Sequence, residues 1–71
     1  MNKTVVSQDI IETLRENGPM TSLKVWEILH MEDPRFSYTA AKRYLQRLKC
    51  EDRVLLHYDV EKKQYIWEVK E

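Results

Sequence analysis

Residues 38–49 read Tyr38-Thr39-Ala40-Ala41-Lys42-Arg43-Tyr44-Leu45-Gln46-Arg47-Leu48-Lys49. At 100° per residue, Ala41, Tyr44, Leu45 and Leu48 fall within one arc. Thr39, Arg43 and Gln46 lie opposite, flanked by Lys42 and Arg47. The spacing predicts an amphipathic helix over 38–49, capped by Ser37, with a polar face that is basic rather than mixed. Residues 34–50 contain Arg35, Lys42, Arg43, Arg47 and Lys49 and no acid at all.

Upstream, Pro34 disfavours helix at Asp33 and so ends a preceding helix expected over Leu23–His30. Val25, Trp26 and Leu29 form its stripe. Leu23 and Ile28 lie off it, so cover on more than one side is expected, and Thr21 or Ser22 supplies the N-cap. Gly18-Pro19 stops a first helix expected over Thr4–Asn17. In that segment Val6, Ile10 and Leu14 recur at four-residue spacing and Ile11 broadens the stripe, while Asp9, Glu12, Arg15 and Glu16 cover the other side.

Downstream the period changes to two. Val54–Tyr58 is a β-rich run, and Gln64–Lys70 alternates, placing Tyr65, Trp67 and Val69 on one face and Ile66, Glu68 and Lys70 on the other. Between them, Asp59-Val60-Glu61-Lys62-Lys63 reads as a hairpin loop of five residues. Three helices and a hairpin over residues 1–71 make a single α+β domain. A chain of this size buries only about 60% of its unfolded surface, so each large apolar side chain carries weight.

Charge is balanced overall but not along the chain. Residues 1–33 hold three basic and six acidic side chains, and residues 34–71 hold nine basic and six acidic. An acidic back and a basic front follow from that distribution. Cys50 is the sole cysteine, and His30 and His57 stand apart from one another. No intrachain disulfide or metal site is therefore expected, and a reduced, cytoplasmic setting fits. No apolar run approaches the ~18 residues that cross a membrane. A nucleophile with its base, a phosphate-cradling glycine loop and paired carboxylates are all missing from the pattern, so neither enzymatic activity nor a cofactor is expected.

The order helix, Thr-Ser link, helix, loop, helix, hairpin resembles the winged helix-turn-helix. Gly18-Pro19-Met20-Thr21-Ser22, Val25, Leu29 and the block Thr39–Leu48 carry the likeness. That block is similar to the recognition helix of penicillinase-repressor-type transcriptional regulators. The resemblance implies sequence-specific binding of double-stranded DNA, with a weak homodimer or a protein partner as further options. Trp67 also stands where winged helices that bind left-handed DNA place a wing tryptophan. Their Asn-x-x-x-Tyr pair, however, would fall on Lys42 and Gln46, and no Pro-Pro precedes Trp67. The residues favour packing of Trp67 between sheet and helices.

For DNA the chemistry is concrete. Arg43 suits guanine O6/N7, Gln46 suits adenine N6/N7, and Thr39 can meet a thymine methyl or a phosphate. Lys42 and Arg47 lie to the sides, where phosphates run, and Tyr38 can offer its hydroxyl to a phosphate. Lys62 and Lys63 at the hairpin tip can touch backbone. A rival reading is an adaptor that docks on polymerase or replication machinery through Trp26, Ile28 and the acidic first helix, without DNA.

Overall fold

A computed structural model describes residues 5–70 as three helices, α1 (Ser7–Asn17), α2 (Ser22–Glu32) and α3 (Tyr38–Cys50), and two strands, β1 (Val54–Asp59) and β2 (Gln64–Val69). The strands are antiparallel, with Val54 opposite Val69 and Asp59 opposite Gln64. Ile10, Val25, Ala41, Leu45, Leu48 and Val54, one or more from each helix and from β1, are sealed from solvent, and Trp67 of β2 closes the core.

α1 begins later than its spacing suggests. Val6 is the N-cap in extended conformation, and its N–H donates to the Asp9 carboxylate at 2.8 Å while the Asp9 N–H donates back to the Val6 carbonyl. Asp9 is thereby drawn out of the polar face and buried. Val6, half exposed, leaves the apolar stripe, and Val5 takes the buried place ahead of the helix. The expected start at Thr4 lies outside the described residues. At the other end Gly18, at φ 84°, donates its N–H to the Leu14 carbonyl, and Pro19 carries the chain away.

Thr21 is the N-cap of α2, its hydroxyl accepting from the Lys24 N–H at 3.2 Å. The helix runs to Glu32, two residues beyond His30, because the Asp33 N–H still reaches the Leu29 carbonyl before Pro34 intervenes. Ile28 is partly covered by the core, whereas Leu23 faces solvent. α3 ends one residue past expectation, at Cys50, in a Schellman turn. The Arg53 N–H donates to the Leu48 carbonyl and the Asp52 N–H to that of Lys49, with Asp52 left-handed at φ 62°. Lys70 pairs with the Asp52 carboxylate and its N–H meets the Arg53 carbonyl, so the end of β2 braces this turn.

The hairpin loop is four residues, not five. Asp59 still pairs with Gln64, and its carboxylate accepts from the N–H groups of both Glu61 and Lys62, which folds the turn back on itself. Lys63 completes the reversal in the left-handed region at φ 55°. Both faces of β2 hide one residue: Trp67 on the helix side and Ile66 on the other. Tyr65 shares the Trp67 face yet is 60% exposed, because the hairpin outruns the helices there.

Candidate nucleic-acid interface

The loop Asp33–Ser37 aims α3. Asp33 turns one carboxylate oxygen to the Arg35 N–H at 3.1 Å and the other to the Val5 N–H at 3.4 Å, while its carbonyl receives the Phe36 N–H. Phe36 is buried and stacks on Tyr44 of α3, ring centroids 5.9 Å apart. The Phe36 carbonyl accepts the Trp26 indole N–H at 2.8 Å, which pins α2 to the loop. Ser37 then caps α3, accepting the Ala40 N–H at 3.1 Å as expected.

With Ala41, Leu45 and Leu48 fully buried and Ala40 and Tyr44 half-buried, the rest of α3 faces water. Tyr38, Thr39, Lys42, Arg43 and Gln46 line one shallow open concavity of about 370 Å³ along the helix. Arg47 is exposed one turn beyond Arg43, outside that concavity. Among the described residues, the side chains of Arg43, Gln46 and Arg47 enter no hydrogen bond or ion pair, so their donors are available to a ligand.

Tyr38 is tied to α2. Its hydroxyl lies 3.0 Å from the Ser22 hydroxyl at the start of α2, its ring meets Trp26 edge-on at 6.2 Å, and the Lys42 ammonium sits 5.5 Å over the ring centre. Trp26 in turn lies against His30, whose Nδ1 is 3.3 Å from the Phe36 carbonyl. Trp26 is half-buried in this cluster rather than wholly in the core.

Lys62 and Lys63 are exposed at the hairpin turn and line none of the α3 concavity. Behind them stand Tyr58 and Tyr65, a pair the sequence reading missed although it placed Tyr65 on the Trp67 face. Directly opposed across the strands, they meet edge to face at 5.1 Å and stand 48% and 60% exposed. Period-two alternation from Trp67 and Leu56 would have paired them; their exposure depends on where the helices end. Asp9, Glu12, Glu16 and Glu32 line an acidic hollow between α1 and α2.

No family model matches this chain, and no curated protein matches it. Among solved structures it is similar to the Zα domain of PKZ from Carassius auratus, crystallised in complex with Z-DNA. The TM-score is 0.74, with 90% of each chain covered and 20% identity. The fold is a winged helix. α2 and α3 are its helix-turn-helix, and β1–β2 form its wing.

The winged-helix expectation is met, and the likeness at this identity is one of architecture. The matched domain was crystallised with left-handed DNA. Trp67 is only 5% exposed. It serves the core. No described helix is long and apolar enough to cross a membrane, and no described group of three His, Cys, Asp or Glu side chains could hold a metal.

Proposed function

We propose that this winged helix binds duplex DNA through the outward face of α3, reading sequence in the major groove as a small transcriptional regulator. The observation that carries the reading is the α3 concavity itself. Thr39, Lys42, Arg43 and Gln46 converge there, acids are absent from residues 34–50, and the similar solved domain was crystallised on DNA. Arg43 and Gln46 offer the donors and acceptors that suit guanine and adenine edges, and Thr39 lies about one turn before Arg43 on the same face. Lys42 and Arg47 flank them at phosphate range, and Lys62 and Lys63 give the wing a backbone contact. In this reading one chain suffices for binding, and a homodimer or a protein partner would set half-site spacing or recruitment rather than contact.

The experiment is a salt-dependent titration against a mixed-sequence right-handed duplex, an alternating CG duplex held left-handed, single-stranded DNA and RNA. With four or five cations on phosphates, log K falls against log salt with a slope of roughly −4. Preference for the right-handed duplex supports groove reading by Arg43 and Gln46. Preference for the left-handed one keeps DNA binding and rejects base reading in the major groove. A flat salt response, or no duplex binding at low salt, favours the adaptor, whose charge would come from the acidic hollow on α1 and α2.

A further inference from the structure

Tyr38 stands in the interface with its hydroxyl already engaged. We infer that Tyr38 is a positioning residue for Lys42: its ring, fixed between Ser22 and Trp26 of α2, holds the Lys42 ammonium at the edge of the α3 face where a DNA phosphate is to be met. The inference rests on the DNA reading of that face.

Three contacts carry it. The Tyr38 and Ser22 hydroxyls are 3.0 Å apart, so one donates to the other and the ring cannot swing outward without breaking that bond. Trp26 meets the ring edge-on at 6.2 Å, and its own indole N–H is committed to the Phe36 carbonyl. The tyrosine therefore leans on an anchored neighbour. Lys42 lies one helical turn after Tyr38, and its ammonium hangs 5.5 Å above the ring centre. A cation over a π face uses only one side of its hydration shell, which leaves its other N–H donors for an anion approaching from solvent.

The consequence is a division of labour along the helix. An unrestrained lysine loses rotamer freedom when it meets a phosphate, and one already resting on a fixed ring loses less. Lys42 is thereby held toward the α2 corner of the interface. Arg43 and Gln46, with no such tether, remain free to turn toward base edges. Tyr38 itself touches no phosphate in this arrangement.

The test combines NMR of the free protein with duplex titrations of Tyr38→Phe, Tyr38→Leu, Lys42→Ala and the double variant Tyr38→Leu/Lys42→Ala. Ring-current shielding should move the Lys42 side-chain protons upfield in the parent and in Tyr38→Phe, and the shift should vanish in Tyr38→Leu. Tyr38→Phe, which loses the Ser22 bond but keeps the ring against Trp26, should lose less affinity for the mixed-sequence duplex than Tyr38→Leu. Tyr38→Leu should weaken binding about two- to five-fold, the worth of an exposed cation–π contact. On the Lys42→Ala background the same substitution should cost nothing more. Losses that add, or a Tyr38→Phe that binds as poorly as Tyr38→Leu, would overturn the positioning role and make Tyr38 a direct ligand. Unshifted Lys42 protons in a parent that binds duplex overturn it as well. A parent that shows the shift but binds no duplex at low salt overturns instead the DNA reading on which the inference rests.

Discussion

Met20 and Trp67 exchange two backbone hydrogen bonds, Trp67 N–H to Met20 carbonyl at 2.8 Å and Met20 N–H to Trp67 carbonyl at 3.0 Å. The link between α1 and α2 thus joins the wing as a one-residue third strand. Since Trp67 directs both backbone groups to Met20, its pairing with Leu56 across the hairpin is of the non-hydrogen-bonded kind, in which side chains approach most closely. The indole is carried into the core by that arrangement, and the wing is tied to the helices at its base.

Removing that side chain should therefore unfold much of the molecule. Trp67→Ala is expected to cost about 3–5 kcal/mol, and Leu45→Ala about 2–5 kcal/mol, more than any change on the outer face of α3. Thermal melts check both. A Trp67→Ala variant melting within a degree or two of the parent would contradict burial of the indole.

Gly18→Ala isolates a backbone effect. At φ 84° and ψ −177° Gly18 occupies a region closed to side-chain-bearing residues, yet a Cβ built there meets nothing within 4 Å. The loss, about 1–3 kcal/mol, comes from strain alone. Urea unfolding measures it, and a variant as stable as the parent would mean that the α1–α2 link relaxes without cost.

These two positions also mark how far the sequence could be read. Gly18-Pro19 announced the first stop because backbone chemistry is local, and Ser37 announced the start of α3 for the same reason. The basic face of α3 was legible because burial of Ala41, Leu45 and Leu48 leaves one orientation for the rest. What escaped is non-local or compensated. Met20 pairs with Trp67 through backbone groups that every residue has. The α1 boundary turns on Asp9 bonding back to Val6, and the α3 terminus on Asp52 occupying a left-handed position where glycine is the usual signal. The Tyr38 hydroxyl could be placed only once Ser22 had come beside it.

At the wing tip, Lys62→Ala together with Lys63→Ala should weaken binding to all duplex sequences alike and make the salt slope shallower, because these side chains would see phosphate. The fold should be little affected, as both are exposed at the turn. Titrations of a preferred and a scrambled duplex at several salt concentrations check this. A loss confined to the preferred sequence contradicts a backbone role for the wing.

Arg43→Ala tests the central claim most directly. Arg43 lines the α3 concavity, lies opposite the buried Ala41, Leu45 and Leu48, and makes no ion pair within the described residues. Its removal should leave stability within about 0.5 kcal/mol of the parent. Affinity for a selected duplex should fall by about 1–3 kcal/mol, with relaxed preference at one base position and a smaller loss on a scrambled duplex. The measurement is the affinity of Arg43→Ala for both duplexes beside its melting temperature. Selective loss on the selected duplex with an unchanged melt is the predicted result; undiminished affinity for both would contradict α3 as the reading element.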